Sequence, residues 1–386
     1  MDTHAQPAPY FAGLDAHLAY VTVAVVTRGG EPVLEQRIAV THPERLVAAL
    51  APFHSAERPL AAVVETCPFW AWLFDLLEPA GIRMCVAHAR ELRAIATSHR
   101  KTDERDALLL ARMLAAGLIP HVVVRTRPER DVLALLRHRA VLVRDRTALA
   151  NRIHAQLHLQ RLALPRARLL RRAGRAWLRE TAWPRLLPEQ RRLIRTHLRL
   201  IRQLTTDVRA LDRRIATRAA ATPSAVLLQT VPGIGPYRGL LLATTLAPVT
   251  RFPSAAHLVG YAGLAPRTRS SGGHTRHGPI PRAANHAVRG ALVSAIPSHV
   301  RVAPASPLSQ YYARQKPRLG WRVARVAAAR RLARVLYGML ATGEAWRGAA
   351  APDEGAAAAP AAVTVPRRGE LRSAAVALGP TGRVTT

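Results

Sequence analysis

Four carboxylates have the types and spacing to bind a divalent cation together: Asp15, Glu65, Asp103 and Asp106. Asp15 and Glu65 lie in apolar segments, and Asp103 and Asp106 share one face at the start of a helix. A lone carboxylate in an apolar strand costs several kcal/mol unless it is paired or binds a metal. A cation would also relieve the repulsion among four acids. For Asp103 and Asp106 the alternative is charge pairing with the helix N-terminus.

The rest of the chain is strongly basic. It contains 57 Lys and Arg against 24 Asp and Glu in 386 residues, a formal net charge of +33. Such an excess favours a nucleic-acid partner and predicts steeply salt-dependent binding. Lys101 and Lys316 are the only lysines. Arginine suits bidentate phosphate contacts, although a GC-rich genome would also favour it.

Composition argues against several other classes. Cys67 and Cys85 are too few for a disulfide framework and have no zinc-like spacing, which fits a reducing cytoplasm. Residues 1–9 are polar and lack a signal-peptide core. No apolar run reaches the roughly 18 residues of a spanning helix. We therefore expect a cytoplasmic protein that is soluble apart from whatever nucleic acid it holds and has no membrane partner.

The first two acids require strands to position them. Residues 10–27 are β-branched and partly alternating, and they end at Gly29-Gly30, which is typical of a hairpin turn. Further strands are predicted at Val33–Val40, 60–66 and 82–87, with helices at His42–Ala51 and Pro68–Leu77. This order predicts a mixed α/β sheet of the ribonuclease H type. Asp15 would lie in the middle of its first strand, beside Glu65.

From about Thr102 the pattern becomes helical. One helix is predicted to stop at Gly117, and two long ones to span 129–162 and 188–220. Apolar residues of the last recur close to a heptad: Ile194, Leu198, Ile201, Leu204, Val208, Leu211 and Ile215. The two long helices could pair within the chain or between chains. We favour an extended arm that also dimerises, with a plain intramolecular bundle as the alternative.

Two glycine-containing segments of the C-terminal region suit phosphate contact. Pro232-Gly233-Ile234-Gly235 lies between apolar helical segments, which is typical of a helix-hairpin-helix, although a simple turn would look the same. A loop at 270–273 contains Ser270 and Ser271, and serine there could attack a phosphodiester, although such loops are usually only flexible. The residues expected to contact nucleic acid are Gly233, Gly235, Arg267, Arg269, Gly272, Arg276, Arg282 and Asn285.

Several motifs together resemble one family. They are GLDAH, VVETCPFW, KTDERDALLLARML, TVPGIGP, LVGYAGLAPR, and SSGG followed by HGPIPRAANHAVRGAL. Their order and spacing from about Phe11 to Trp346 resemble the insertion sequence 110 family, or DEDD transposases, and the related Piv-type DNA invertases. Two departures are His17-Leu18 after Asp15, where small and basic residues are usual, and Ala284, where glycine is expected. Neither affects the proposed catalytic positions.

The resemblance implies a RuvC-like domain that binds Mg²⁺, or Mn²⁺ instead, through Asp15, Glu65, Asp103 and Asp106. It implies that Ser271, with Ser270 as its competitor, attacks DNA to form a phosphoserine intermediate, after which the strands are rejoined. It also implies donor and target DNA selected by an element-encoded noncoding RNA, and a dimer or tetramer whose subunits complete composite sites. The predicted parts are a disordered N-terminus 1–9, a catalytic domain 10–125, a coiled-coil connector 126–222, a transposase domain 223–346 and a tail 347–386 whose Ala/Pro-rich composition predicts disorder.

Three functions remain distinct at this point. The first is a metal-dependent and serine-dependent transposase or invertase. The second is a hydrolytic junction nuclease that uses the acids alone and leaves no covalent adduct. The third is a nucleic-acid-binding protein that cuts nothing, which the presence of all four acids disfavours.

Overall fold

The computed structural model describes residues 10–95, 102–163, 172–271, 274–281 and 284–348. The predicted disordered N-terminus and most of the predicted disordered tail lie outside these residues. The chain forms two units, residues 1–130 and 131–386. The boundary falls near the predicted start of the connector, and the connector and the C-terminal region belong to the second unit.

The first unit is built on a five-stranded mixed sheet. Its strands are β1 (Tyr10–Ala16), β2 (Tyr20–Thr27), β3 (Pro32–Ala39), β4 (Ala61–Glu65) and β5 (Arg83–Ala87), in the order β3-β2-β1-β4-β5. The first three strands are antiparallel, and β4 and β5 run parallel to β1. The helices are α1 (Pro43–Leu50), α2 (Trp70–Leu77), α3 (Ala89–Ile95) and α4 (Asp103–Ala115). The predicted mixed α/β sheet is confirmed.

Two details predicted for the strands and helices of this unit are wrong. Residues 10–27 form two strands, because the chain reverses at residues 17–19 and the N–H of His17 donates to the carbonyl of Tyr20 at 2.9 Å. Asp15 is therefore the penultimate residue of β1 rather than its middle. Helix α2 begins at Trp70, two residues after the predicted Pro68. The reversal matters most, because it places Asp15 at an end of the sheet.

The second unit contains most of one long helix and all of another, and the two pack against each other. Helix α5 is Arg127–Leu159, a short α6 is Arg172–Trp177, and α7 is Pro188–Ala220. Arg139 donates to Asp212 at 2.9 Å, and farther along Gln160 donates to Gln190 at 3.1 Å. The two partners of a pair are closer in sequence near the end of α5 than near its start, so α5 and α7 run antiparallel within one chain. Pairing between chains stays a prediction.

The predicted heptad seam of α7 is partly buried. The seam residues that recur at intervals of exactly seven are buried, and the seam residues between them are half-buried. The buried ones are Ile194, Ile201, Val208 and Ile215. Ile194 and Ile201 pack with Leu149, Ile153 and Leu157 of α5, so the spacing serves an intramolecular core.

The C-terminal part is mostly helical. Its elements are α8 (Pro223–Gln229), α9 (Pro236–Leu246), α10 (Ala255–Tyr261), α11 (His286–Val302), α12 (Pro307–Thr342) and the hairpin strands β6 (Thr268–Ser271) and β7 (His274–His277). The last helix is interrupted at Gly320, whose φ of 75° is non-helical. All of α9 from Gly239 to Leu246 is buried, which makes it the centre of this core.

Helix α4 crosses the sheet at a glycine. A Cβ on Gly13 of β1 would lie 2.0 Å from the carbonyl oxygen of Ala107 and 2.6 Å from the backbone nitrogen of Ala111. Both alanines are fully buried, so two small residues of the helix face a residue without a side chain. One turn before Ala107 the helix begins at Asp103, and this contact therefore sets where that acid meets the sheet.

Both ends of α4 are held as well. The Thr102 side chain accepts a hydrogen bond from the N–H of Arg105 at 3.4 Å, which is an N-cap. Near the other end, Arg112 donates through Nε to the carbonyl of Gly30 at 3.0 Å. Gly117, at φ 70°, follows the helix. With its ends and its middle fixed, the helix can slide little along the sheet.

We expect Gly13→Ala to destabilise the protein strongly. Its methyl group would overlap backbone atoms of α4, and overpacking of this kind costs about 1–3 kcal/mol or more. Denaturant unfolding followed by circular dichroism measures the loss. Gly29→Ala is the control, since a Cβ there meets only the Thr27 hydroxyl at 3.7 Å. Equal midpoints for the two variants would contradict the close-approach argument.

Candidate functional site

The strand register brings the first two predicted acids side by side. Leu14 of β1 pairs with Val64 of the parallel strand β4, and Asp15 and Glu65 are the next residue of each strand. Directly paired residues of neighbouring strands face the same side. Residues two apart in one strand also share a face, so Asp15 lies on the same face as Gly13, against which α4 packs. Across the antiparallel side, Asp15 pairs with Thr22, which is buried.

The start of α4 completes a compact cluster with a residue that the acid pattern missed. The Nε2 atom of His17 lies 3.1 Å from Oδ2 of Asp15 and 3.4 Å from Oδ1 of Asp103. One ligand atom of each of the three residues lies within 4.8 Å of the other two. The reversal after β1 places the imidazole here. The only sequence signal was that His17 departs from the residues usual after this aspartate.

Two further side chains orient Asp103. The hydroxyl of Tyr20 donates to Oδ2 at 2.8 Å, and Nη2 of Arg37 lies 3.5 Å from the same oxygen. Arg37 also donates to Glu104 at 2.8 Å and lies over the Tyr20 ring, 4.3 Å from its centroid. The Tyr20 hydrogen bond, with smaller contributions from His17 and Arg37, holds the pKa of Asp103 below its usual range. Asp103 is thus kept ionised.

The pKa of Asp15 is shifted in the opposite direction to that of Asp103. Burial, above all, raises the pKa of its carboxyl, and the charges of Asp103 and Asp106 act in the same direction while His17 opposes them. Burial likewise raises the pKa of the Cys67 thiol, with smaller contributions from the charges of Asp15 and Glu65. All four predicted acids therefore influence one neighbourhood, although Glu65 and Asp106 are not in the tight group. Negative charge is crowded around Asp15.

The donor atoms suit a hard cation. Carboxylate oxygens are the ligands that Mg²⁺ and Mn²⁺ prefer, whereas imidazole is more typical of zinc, copper, iron and nickel. Asp15 and Asp103 supply the right oxygens, and Glu65 and Asp106 are the neighbouring carboxylates. His17 bonds to oxygens that a cation would use. The cluster of Asp15, His17 and Asp103 is compatible with a divalent metal.

The predicted serines lie in a strand rather than in a loop. Ser270 and Ser271 belong to β6, paired with Thr275 and His274 of β7. Arg269 pairs with Arg276 in the same ladder. Gly272 and Arg282 lie outside the described residues, and Arg267 is exposed just before the hairpin. A two-stranded ladder thus carries the serines to its tip.

Asn285 has a structural role at the start of α11. Its Oδ1 accepts from the N–H of Val288 at 3.1 Å, and its Nδ2 donates to the Tyr261 hydroxyl at 2.8 Å. The helix is therefore capped and tied to α10. Contact between Asn285 and nucleic acid stays a prediction.

The turn between α8 and α9 is held from the inside. Nδ1 of His299 donates to the carbonyl of Pro232 at 2.7 Å, and Nη1 of Arg238 donates to the carbonyl of Gly233 at 2.7 Å. In a trans peptide the N–H points opposite to the carbonyl. The N–H of Gly233 is therefore directed away from His299, toward the outside of the turn.

The two glycines of this turn differ. Gly233 has φ 90°, and a Cβ on it would lie 2.6 Å from the backbone nitrogen of His299. Gly235 has no neighbouring atom within 4 Å of such a Cβ. Gly233 is thus required by packing against α11, whereas Gly235 lies in open space at the N-terminus of α9. Phosphate contact at either glycine stays a prediction.

His299 is fully buried and its hydrogen-bonding capacity is satisfied. Nδ1 donates to a carbonyl, and Nε2 lies 2.6 Å from the Ser306 hydroxyl oxygen. The ring of Trp346 packs edge-on against the imidazole, 5.7 Å between centroids. Burial lowers the pKa of His299, and its hydrogen bond to Pro232 opposes this only in part. The neutral imidazole is the form that this core accommodates.

Two family models match parts of this chain. A family model of DEDD transposases of IS110 elements, described as a transposase, matches residues 12–161, and the family model described as "Transposase IS116/IS110/IS902 family" matches residues 225–313. Together they cover more than half of the chain. The first match contains Asp15, Glu65, Asp103 and Asp106, and the second contains Ser271.

Curated relatives agree with the two family models. The "Insertion element IS110 uncharacterized 43.6 kDa protein" of Streptomyces coelicolor is 27% identical over 86% of this chain and 94% of its own length. The "Putative transposase y4pF/y4sB" of Sinorhizobium fredii is 27% identical, with 64% of each chain covered. The "Transposase for insertion sequence element IS1328" of Yersinia enterocolitica is 26% identical over 56% of this chain and 63% of its own length.

The mixed sheet, its acidic cluster and these matches define a transposase of the DEDD class. Within that class, the chain belongs to the IS110 family. In the part of the chain that the structure describes, no helix is both long enough and apolar enough to cross a membrane.

We expect acid to weaken the native state through His299. The unfolded histidine takes up a proton near its ordinary pKa of 6.5, whereas the buried ring resists protonation. The stabilisation is therefore present above pH 6.5 and is lost as pH falls below it, at most about 1.4 kcal/mol per pH unit. Denaturant midpoints from about pH 7.5 to about 5.5 measure the loss.

His299→Asn should remove that pH dependence, since its amide can still donate to Pro232 but does not titrate. The matched control is His286→Asn, which changes an exposed histidine at the start of the same helix. The argument fails if the wild type and His299→Asn lose stability in parallel across this pH range.

Proposed function

We propose that this chain is a DNA transposase of an insertion sequence that breaks and rejoins DNA with a divalent metal and a serine nucleophile. The observation that carries the proposal is the meeting of Asp15 and Asp103, whose ligand atoms lie within 4.8 Å although the two residues are distant in sequence. Membership of the IS110 family supports the reaction class. Mg²⁺, or Mn²⁺ in its place, would be held by Asp15, Asp103, Glu65 and Asp106.

The residues around the two aspartates have separate roles in this proposal. When bound, the cation supplies Lewis-acid stabilisation of the scissile phosphate. Tyr20 and Arg37 keep Asp103 ionised and oriented toward Asp15. His17 bridges the two aspartates when they are free, and it must release their oxygens for the cation to bind. This bridge reduces the repulsion within the acid cluster.

Ser271 is the proposed nucleophile, and Ser270 is its competitor. Attack of the hydroxyl oxygen on phosphorus forms a phosphoserine ester and releases one DNA hydroxyl, which takes the proton. Attack by a DNA hydroxyl on that ester then rejoins the strands and regenerates serine. One phosphoester is exchanged for another, so no net hydrolysis occurs.

The partners follow from the same proposal. The formal charge of +33 suits donor and target DNA together with a structured noncoding guide RNA. As in the resemblance described above, two or four copies would assemble, and acids and serine would come from different subunits. A Piv-type invertase would use the same chemistry on inverted sites. A hydrolytic junction nuclease would need only the acids.

We expect substitution of the acids to abolish metal binding. Asp15→Asn and Asp103→Asn should each lose calorimetrically detectable Mn²⁺ binding, since each removes an anionic ligand. Glu31→Gln, in the exposed β2–β3 turn, is the control and should bind normally. His17→Ala should retain or gain affinity, because it removes a competitor for the oxygens. Loss of Mn²⁺ binding in His17→Ala would make the imidazole a ligand and overturn its proposed role.

We expect Ser271→Ala to abolish the covalent protein–DNA adduct. The substrate is nicked DNA from the flanks of the gene, supplied with RNA transcribed from the same flanks, and the adduct is trapped under denaturing conditions. Ser270→Ala is the matched control and should retain the adduct. Cleavage that survives Ser271→Ala without an adduct would favour the hydrolytic nuclease. Loss of the adduct in Ser270→Ala alone would show that Ser270, and not Ser271, is the nucleophile.

A further inference from the structure

A cavity of about 990 Å³ opens along the long helical arm, and none of the residues that line it is one discussed above as catalytic. One wall is a face of α7, with residues spaced three or four apart from Leu198 to Arg209. The other wall is α6 and the turns that follow it. Those turns are a π-helical segment, Leu178–Ala182, and a 3-10 segment, Trp183–Arg185. The volume is at the upper end of the range for sites that hold small organic ligands.

The rim of this cavity is cationic. Five arginines and a single acid line it; the arginines are Arg172, Arg175, Arg179, Arg202 and Arg209. The acid, Glu180, is engaged by Arg179 at 3.0 Å. Among the described residues, no carboxylate lies within ion-pair distance of the other four. They retain their charge for a ligand, and guanidinium groups suit phosphate.

The floor is apolar, unlike the rim. Leu178 and Ile201 are buried, and Leu198 is half-buried beside them. An apolar floor beneath a ring of guanidinium groups matches a ligand with a flat, weakly polar part and an anionic part. A nucleotide has both parts, a base and a phosphate.

Trp183 supplies a stacking surface. Its ring lines the cavity, and the guanidinium of Arg195 lies over the ring at 4.9 Å from the centroid. Arg195 is not among the residues that line the cavity. A stacked base would use the face of the indole that Arg195 does not cover.

The tryptophan is also held in place by its backbone. Arg191 of α7 donates through Nε to the carbonyl of Trp183 at 3.0 Å and through Nη2 to that of Pro184 at 3.1 Å. Just after this segment, the N–H of Leu187 donates to Gln190 at 3.0 Å. The backbone of the wall that carries Trp183 is thus fixed to α7, so little backbone ordering is required when a ligand binds.

We propose that this cavity binds an unpaired nucleotide of a polynucleotide strand, with the base on Trp183 and the flanking phosphates on Arg202 and Arg209. Aromatic rings beside a cationic groove are the usual means of binding single strands. An unpaired base is required, because a base in a duplex is already stacked on both faces. RNA and single-stranded DNA both supply this chemistry. The proposal needs neither the metal nor the serine of the proposed function.

Anisotropy titrations with fluorescent twelve-nucleotide oligo-rU and oligo-dT, in EDTA and at several salt concentrations, test it on the full chain. Each lost phosphate contact lowers the salt slope of single-strand binding by about 0.7, so Arg202→Ala with Arg209→Ala should lower it by about 1.4. Arg192→Ala with Arg199→Ala removes the same charge from exposed positions of α7 outside the cavity and should leave the slope unchanged. Equal slopes for the two pairs would overturn the proposal.

The stacking partner has its own test. Trp183→Leu should weaken binding roughly 5- to 150-fold, and Trp183→Phe should weaken it less, because a base can still stack on phenylalanine. In the wild type, 5-iodouracil in either oligonucleotide should crosslink to a peptide within residues 172–209. Tighter binding of oligo-rU would identify a 2′-hydroxyl contact, and equal binding a site shared by both strands; both support the proposal. Absence of the crosslink from these peptides would refute it.

The crosslink, measured in EDTA, and the adduct, measured with Mg²⁺, separate this proposal from the proposed function. If adduct formation fails while the crosslink persists, the cavity binds nucleotides irrespective of the chemistry. If the crosslink is absent while the adduct forms, the cavity proposal alone is lost. Circular dichroism melting of each variant checks that the helical arm is intact.

Discussion

The contact between α4 and β1 at Gly13 is the constraint on which the acidic cluster depends. A helix carries its side chains several ångströms from its axis, so Asp103 reaches Asp15 only if the helix lies unusually close to the sheet. Gly13 has no side chain, and it faces the small residues Ala107 and Ala111. The cap at Thr102 and the bond from Arg112 to Gly30 stop the helix from sliding. The packing of small residues thus sets the positions of the charged residues Asp103 and Asp15.

The cluster concentrates negative charge in a protein that is otherwise positive. Close carboxylates repel one another, and the structure offsets this with His17 between Asp15 and Asp103 and with Tyr20 and Arg37 on Asp103. Burial and repulsion raise the pKa of Asp15, while the Tyr20 hydrogen bond lowers that of Asp103. A divalent cation would satisfy both aspartates at once, which is why this arrangement suits a metal better than isolated surface acids do.

Much of the fold was predictable from the local sequence pattern, and the predictions that were wrong have local causes. The mixed sheet, α4 and both long helices follow from periodicity, Gly117 and β-branched runs. Residues 10–27 were predicted as one segment because the reversal at 17–19 contains His-Leu-Ala and no glycine, proline or asparagine. Gly233 matched a phosphate-binding pattern, yet its conformation is also demanded by the backbone of His299 against it. A turn motif alone does not separate these two requirements.

The sequence by itself determined which residues could do chemistry: four scarce acids, two adjacent serines, a large arginine excess and motifs that resemble one family. These are properties of residue type and spacing along the chain. Only the tertiary structure decided that His17, Tyr20 and Arg37 share the site with Asp15 and Asp103, and that Trp183 and five arginines surround one cavity. Strand register, helix crossing and the antiparallel course of the arm join residues distant in sequence, and no local pattern encodes which of them meet.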